Sequence, residues 1–231
     1  MLMPFCCTVG KVLVGTVAAE IFEVSLLSRT DIHKLVSGHF TETGDVMGLA
    51  AHPRKPLFVT TGDDSTVRIW NSKARKLKHM TSVGAQVRAA AFSPDGFQLS
   101  VGTYDGRVKV LTEDLSVLLV DTAVAEEWIK CMSYSPDSHL LAVGSNDNNI
   151  YVLETKNYSV QTVCRGHESR VCNLDFSICS TILQSTSRSC DLLFWNTEDG
   201  KQIKSQSHIR DIEWSSWTNT LGWPVQVMNF A

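Results

Sequence analysis

The sequence predicts an all-β fold, a β-propeller built from repeated four-stranded blades. Repeated segments end at residues spaced 41, 42 and 42 positions apart, namely Trp70, Leu111, Leu153 and Trp195. A second series of aromatic residues is spaced 42 apart: Phe92, Tyr134 and Phe176. A fixed period of about 40–45 residues with several short strands per unit is typical of propeller blades. Because such an array is a scaffold, its function is expected in its surfaces.

Each repeat is predicted to contain four strands. The inner strand is apolar, as in 87–93, and ends at a proline turn such as SPDG at Pro94, where proline presets φ and Asp or Gly suits the bend. An apolar second strand leads to a tight turn that contains Asp64, Asp105 or Asp147 in successive repeats. The third strand alternates, which indicates a half-buried strand, and the outer strand is more polar.

The whole chain, 1–231, is predicted to be one propeller segment. Complete blades are expected near 44–80, 86–121, 128–164 and 170–206, flanked by partial blades over 10–37 and 210–227. The first partial blade, counted here as blade one, is expected to lack its inner strand, and RDIEWSS at 210–216 to supply an inner strand of the last. Two arrangements stay open: closure into a ring of about five blades, or a larger tandem array, which we favour because 218–231 and 1–10 do not match complete blades.

Bulk composition is that of an ordinary globular protein. Hydrophobic residues make up 43% and charged residues 19%, which argues against disorder. The net charge of −3 argues against a nucleic-acid partner. The seven cysteines include no CxxC pair. Five of them fall in or beside predicted strands and are interpreted as reduced, mostly packed thiols of an intracellular protein: Cys131, Cys164, Cys172, Cys179 and Cys190. Lys11 interrupts the apolar N-terminal run, which argues against a signal peptide and a membrane span.

Several short motifs, GH, SPDG, GDDSTVRIW and FWN, resemble WD-repeat blades. In that family a loop His, a Ser or Thr, a turn Asp and a closing Trp form a buried hydrogen-bonded set. Blade two supplies all four: His39, Thr60, Asp64 and Trp70. Blade five supplies His167 and Trp195 but has Ser189 where the Asp is expected. Because buried polar groups must be hydrogen-bonded, we predict a structural role for this blade network.

A more specific combination covers nearly the whole chain. The strand AEIFEV at 19–24, the turn GLAAHP at 48–53 and the segment DIEW…LGWPV at 211–225 resemble the echinoderm microtubule-associated protein-like family over 10–226. Members of that family carry tandem β-propellers. The resemblance implies microtubule association and a cytoplasmic, cytoskeletal location.

Catalytic and cofactor motifs are missing from the sequence. It contains no GxSxG, HExxH or GxxxxGK[ST] motif and no zinc-type spacing of cysteine and histidine, and its seven histidines are scattered over the repeats. We therefore expect no enzyme, no catalytic residue, no metal and no cofactor.

Two features are candidates for a partner-binding surface. One is the basic cluster Lys73, Arg75, Lys76 and Lys78, which either meets an acidic partner or is a solvated outer strand that blunts a sheet edge. The other is the set of tryptophans outside the closing position: Trp128, Trp214, Trp217 and Trp223. Tryptophan is enriched at binding hot spots, but packing between blades is the simpler interpretation.

The predicted function is a non-catalytic scaffold that binds tubulin or microtubules. The alternative is a generic WD-repeat adaptor that recruits other proteins and has no affinity for microtubules. Neither nucleic acid nor a membrane is expected as a partner. Saturable, salt-sensitive binding to microtubules would distinguish the two functions.

Overall fold

The fold consists of β-sheets throughout the described residues. The structure, a computed structural model, describes residues 3–8, 11–15, 20–25, 32–39, 46–204 and 209–219. These residues contain nineteen strands in five antiparallel sheets and no helix. In every sheet the strands pair in chain order, so that each sheet is a meander and forms one blade. The prediction of an all-β propeller is confirmed.

Blade one has four strands. They are β1 (Met3–Thr8), β2 (Lys11–Gly15), β3 (Glu20–Ser25) and β4 (Ile32–Ser37). The expectation that this blade lacks an inner strand was therefore wrong. The segment MPFCCT pairs with β2 from one end to the other, with Met3 opposite Gly15 and Thr8 opposite Lys11. Pairing with a neighbouring strand decides strand formation here, although the segment does not match the repeat pattern.

Blades two, three and four each have four strands, as the repeat predicts. Blade two contains β5 (Val46–Ala51), β6 (Leu57–Gly62), β7 (Thr66–Asn71) and β8 (Lys76–Ser82). Blade three contains β9 (Val87–Phe92), β10 (Gln98–Thr103), β11 (Arg107–Thr112) and β12 (Leu118–Ala123). Blade four contains β13 (Ile129–Tyr134), β14 (Leu140–Ser145), β15 (Ile150–Glu154) and β16 (Ser159–Cys164).

Blade five has three strands: β17 (Val171–Phe176), β18 (Ile182–Ser187) and β19 (Leu192–Asn196). The expected outer strand KQIKS is reduced to a single bridge between Trp195 and Gln202 within residues 201–204. The segment 209–219, named here the C-terminal strap, was expected to begin an inner strand. That expectation was wrong, because the strap forms only one isolated bridge, between Ser177 and Trp214. The remainder of the last partial blade, 220–227, lies outside the described residues.

The hydrophobic core lies between neighbouring blades. Val59 and Ile69 of blade two share a cluster with Val87 and Leu99 of blade three. Equivalent clusters join blades three and four, and blades four and five. Each fully buried aliphatic side chain contributes about 1.5–3 kcal/mol. The blades are therefore held side by side by apolar packing.

Every inner strand of blades two to five contains a β-bulge at the same place. In β9, for example, Val87 pairs with Thr103 and Ala89 with Gly102, so one residue between them has no partner in the ladder. The four unpaired residues, named here the bulge positions, are Met47, Arg88, Lys130 and Cys172. A bulge redirects side chains and often lies beside a functional site.

The meander gives the propeller two faces. One, the proline face, carries the proline-type turns 52–56, 93–97 and 135–139 and the turns that precede the outer strands, such as 72–75. The other, the histidine face, carries Gly38, His39 and the tight turns 63–65, 104–106 and 146–149. A strand of six residues separates the two faces by about 20 Å.

His52 links blades two and three on the proline face. Its Nδ1 accepts the backbone amides of Arg54 and Lys55 at 3.0 Å, so the ring proton lies on Nε2. Nε2 donates to the carbonyl oxygen of Gly96 at 3.1 Å. Gly96 has φ +80°, and a Cβ at this position would lie 2.5 Å from Cε1 of His52. Glycine is thus required at this position for two reasons, the left-handed backbone conformation and the close approach of the His52 ring.

Candidate functional site

The predicted set of blade two is a continuous chain of hydrogen bonds. Trp70 Nε1 donates to Thr60 Oγ1 at 2.8 Å, and Thr60 Oγ1 lies 2.8 Å from His39 Nε2. His39 Nδ1 lies 2.8 Å from Asp64 Oδ1. Since the ionised carboxylate can only accept, Nδ1 carries the proton, and Nε2 accepts from the Thr60 hydroxyl. Every polar side-chain atom in this chain of hydrogen bonds has a partner. The hydrogen bonds join the loop at His39 to strands β6 and β7 and to the turn between them.

Blade five contains the same chain with one different residue. Trp195 Nε1 donates to Ser185 Oγ at 2.7 Å, and Ser185 Oγ lies 2.6 Å from His167 Nε2. The acid is Asp191, whose Oδ2 lies 2.8 Å from His167 Nδ1. Ser189 stands at the sequence position expected for the Asp, so the acid comes from a different position. Asp191 reaches the ring from two residues further along the chain, directly before β19.

Both acids of these chains are held ionised. Burial disfavours the charge of Asp64, but hydrogen bonds from His39 and Thr66 outweigh this effect and lower its pKa below 3.8. Burial likewise opposes the charge of Asp191, and hydrogen bonds from Ser187 and His167 lower its pKa below 3.8. Each acid therefore acts as a fixed acceptor for the His ring at neutral pH.

The order of atoms in blade five matches that of a hydrolytic triad, in which a His relays protons between a Ser and an Asp. Its surroundings do not suit catalysis. Ser185 is 0% exposed and His167 only 7% exposed, and the Ser185 oxygen already accepts the indole proton of Trp195. A substrate carbonyl cannot reach a nucleophile in this position. The geometry supports a structural role.

A different buried network, built on two tyrosines of blade four, connects blades three and four. The hydroxyl of Tyr134 bonds to Ser100 Oγ and lies 3.0 Å from the hydroxyl of Tyr158. Tyr158 in turn donates to Gln98 Oε1. Since Ser100 and Gln98 belong to blade three and the tyrosines to blade four, this network connects the two blades. The sequence gives one signal for it, the single Tyr in the Phe92–Tyr134–Phe176 series.

The basic cluster lies on the proline face and its edge. Lys73 and Arg75 occupy the turn before β8, and Lys76 and Lys78 lie in β8 itself. All four side chains are exposed. None forms an ion pair with another part of the chain that the structure describes. Their positive charge is therefore presented to solvent.

Asp63 and Asp64 precede the basic cluster in sequence and could have reduced its field. Both lie on the histidine face, at the opposite end of β7. Asp63 pairs with Arg88 at 3.0 Å, and Asp64 pairs with Arg68 at 2.9 Å. The strand length of about 20 Å exceeds the Debye length of about 8 Å at physiological salt. These carboxylates therefore do not neutralise the basic cluster.

A second basic region surrounds the central channel. The inner strands β5, β9, β13 and β17 line a cavity of about 430 Å³, and all four bulge positions contribute to its lining. The Arg88 guanidinium lies 4.9 Å from the Tyr104 ring centroid and 5.2 Å from that of Trp128. Arg170 lies 5.5 Å from the same Trp128 centroid. Trp128 thus contacts two cations, which the sequence did not indicate.

The other tryptophans named from the sequence lie near or beyond the strap. Trp214 packs against Phe194 of blade five, with ring centroids 6.0 Å apart. Trp217 is 49% exposed. Trp223 lies outside the described residues. Trp214 is therefore used in packing against blade five, and Trp217 is the more exposed of the two described residues.

Asp175 anchors the C-terminal strap to blade five. Its carboxylate is fully buried and accepts bonds from Ser216 Oγ at 2.6 Å and Asn219 Nδ2 at 2.6 Å. The backbone amides of Thr218 and Asn219 donate to it at 2.9–3.0 Å. Four donors from one short segment compensate the desolvation of this carboxylate. The repeat gave no signal for it, because the equivalent residues are Ala91 and Ser133.

Metal and thiol chemistry find little support within 46–204 and the other described ranges. No group of three or more His, Cys, Asp or Glu side chains suited to a metal occurs there. The five cysteines that the structure describes are free thiols. Burial raises the pKa of Cys164 to about 12. Cys179 and Cys190 are exposed, so the expectation of mostly packed thiols was wrong for these two.

Membrane insertion through a helix is likewise not indicated. In the portion of the chain that the structure covers, no helix has the length and apolar character needed to span a bilayer.

The meander blades, the inter-blade core and the His–Ser/Thr–Trp chains define a WD-type β-propeller. Residues 46–229 match the family model described as the second β-propeller of echinoderm microtubule-associated protein. The chain belongs to the echinoderm microtubule-associated protein-like family. The resemblance seen in the sequence is thereby confirmed.

Individual relatives agree with this assignment. The chain is 35% identical over 216 residues to mouse echinoderm microtubule-associated protein-like 2, covering 92% of this chain and 32% of that protein. It is 36% identical over 199 residues to the 77 kDa echinoderm microtubule-associated protein of Lytechinus variegatus, covering 84% and 30%. Mouse echinoderm microtubule-associated protein-like 4 is 37% identical over 195 residues, covering 82% and 19%. The chain thus spans a third or less of the length of these relatives.

Proposed function

We propose that this propeller is a non-catalytic, cytoskeletal platform that binds tubulin or microtubules in the cytoplasm. The observation that carries the proposal is membership of a family whose relatives are named microtubule-associated proteins. The burial of Ser185 and His167 in the Ser–His–Asp chain of blade five favours a platform over an enzyme. The net charge of −3 favours protein partners over nucleic acid.

We further propose that the basic cluster of Lys73, Arg75, Lys76 and Lys78 contacts the microtubule. Four exposed cations without described acidic partners create a positive region on an otherwise slightly acidic chain. A region of this kind raises the rate of encounter with an acidic surface and makes the affinity depend on salt. The exposure of these side chains, and the absence of ion pairs with the described residues, support this assignment. The variants described below distinguish a partner contact from a solvated sheet edge.

The test is co-pelleting of the purified chain with taxol-stabilised microtubules over a salt series. We expect saturable binding that weakens as salt rises. Changing all four residues of the basic cluster to Gln should weaken binding at low salt at least about tenfold, since each exposed charge contributes up to about 1 kcal/mol. A matched variant changes four other exposed cations to Gln and should bind normally: Lys156, Arg165, Lys201 and Lys204.

Two outcomes would contradict the proposal at different levels. A folded chain that stays in the supernatant at low salt would refute microtubule binding and favour the alternative, an adaptor for other proteins. Equal loss of binding in the two quadruple variants would refute the basic cluster as the contact, because only net charge would then matter. A sample without tubulin shows whether the chain pellets by itself.

A further inference from the structure

The mouth of the central channel on the histidine face contains two cations, Lys130 and Arg170, that form no ion pair with the described residues. Arg88 and Lys130 occupy equivalent bulge positions 42 residues apart, and both line the cavity. Arg88 has an internal partner from the preceding blade, Asp63, whose Oδ2 lies 3.0 Å from Nη2. The residue equivalent to Asp63 for Lys130 is Tyr104, which has no carboxylate. The repeat thus places a carboxylate beside one cation and omits it beside the next.

Arg170 adds a second uncompensated charge at this mouth. It stacks on Trp128, as Arg88 does, which brings both guanidinium groups to the same ring. Buried Nε atoms of Arg88 and Arg170 have no acceptor among the described residues. The acidic side chains of the adjoining loops, Glu127 and Glu168, are exposed and form no ion pair with Lys130 or Arg170. Buried donors without acceptors are costly unless a ligand supplies the acceptor.

We propose that this channel mouth, formed by Arg88, Trp128, Lys130 and Arg170, binds a carboxylate side chain from an acidic peptide segment of a partner protein. The partner's carboxylate would take the place beside Lys130 that Asp63 takes beside Arg88. Guanidinium groups held against an aromatic ring keep their donors in a fixed arrangement, which suits planar recognition of a carboxylate.

The size and position of the cavity agree with this ligand. A volume of about 430 Å³ accommodates a few side chains but no folded domain. The site lies on the face opposite to the turn that carries Lys73 and Arg75. The proposal does not depend on microtubule binding, and its test contains no tubulin.

The experiment measures binding of fluorescein-labelled hexaglutamate to the purified chain by fluorescence anisotropy at low salt. Hexaglutamine of the same length is the neutral control. We expect saturable binding of hexaglutamate alone. Lys130→Gln should weaken it about tenfold, the effect of losing one charge-assisted hydrogen bond. Arg170→Gln should have a similar effect.

The matched control is Lys156→Gln, which removes the same charge from an exposed turn on the proline face, outside the basic cluster, and should leave the affinity unchanged. Lys130 forms no hydrogen bond or ion pair with the residues that the structure describes, and circular dichroism melting verifies that each variant is folded. Equal binding of the two peptides, or equal loss in Lys130→Gln and Lys156→Gln, would overturn the proposal. So would displacement of hexaglutamate by inorganic phosphate at concentrations at which acetate has no effect, because the site would then select phosphate.

Discussion

Removing one hydroxyl from blade five should reveal what the buried hydrogen-bond chain contributes to stability. In Ser185→Ala the oxygen that joins Trp195 Nε1 to His167 Nε2 is lost. The indole N–H then has no acceptor, and the imidazole nitrogen has no donor. The two rings, with centroids 5.8 Å apart, cannot close the gap without moving in a packed core.

The expected loss follows from these two orphaned groups. A buried polar group without a partner costs about 1–3 kcal/mol. Because Trp195 and Ser185 are both fully buried, water cannot replace the missing oxygen. Ser185→Ala should therefore lower the free energy of unfolding by about 2–6 kcal/mol, a large part of the roughly 5–15 kcal/mol typical of a domain. Thr60→Ala in blade two should cost less, because Thr60 is partly exposed.

Urea unfolding, followed by circular dichroism, gives the free energy of unfolding and its dependence on urea. Ser189→Ala is the matched control in the same blade, because Ser189 is exposed and its side chain forms no described hydrogen bond. It should change stability by less than about 0.5 kcal/mol. The reasoning is refuted if Ser185→Ala and Ser189→Ala unfold at the same urea concentration with the same slope.

Two further predictions concern a glycine and an acid. In urea unfolding, Gly96→Ala should destabilise the chain by about 1–3 kcal/mol more than Gly84→Ala. Both glycines have positive φ, but only at Gly96 would an added Cβ clash with the His52 ring. Equal losses of stability would show that the His52 ring moves aside at no cost. The second uses the lowered pKa of Asp191, whose contribution to stability is complete above pH 3.8 and is lost as pH falls through the lower folded value. Acid titration of the free energy of unfolding should therefore show a shallower decline below pH 3.8 in Asp191→Asn than in the wild-type chain, and parallel curves would contradict the role of its charge.

The sequence predicted the blades well where the repeat period is strict. The strands of blades two to four follow from the recurring turns and the spacing of the closing residues. The ends of the chain were predicted poorly for a physical reason. β1 forms because its backbone pairs with β2, although its residues do not match the repeat. The strap does not form a strand because its backbone amides at Thr218 and Asn219 donate to the Asp175 carboxylate. The position equivalent to Asp175 in blade three is Ala91, which offers no such acceptor.

The candidate site was only partly visible in the sequence. The blade network of His39 could be named from motifs, since its residues lie at fixed distances from the closing Trp. The acid of blade five was not identified from the sequence, because Asp191 supplies it from two residues beyond the expected position. The channel mouth could not be predicted, because bulges decide that Arg88 and Lys130 face the channel, and a bulge has no signature in the alternation of a strand.

Two classes of position in the repeat have separable effects on the molecule. The buried networks differ in chemistry between blades: blades two and five use His with Trp, and two tyrosines of blade four join blades three and four. The same meander results, so the common task of these networks is to satisfy buried polar atoms. Bulge positions also differ, but their residues are unpaired in the ladder and line the channel. Substitution at a bulge position therefore changes the lining of the channel and leaves the hydrogen bonds between the strands intact. Stability and peptide affinity should therefore respond independently: Ser185→Ala lowers the unfolding midpoint without altering hexaglutamate affinity in the folded chain, and Lys130→Gln does the reverse.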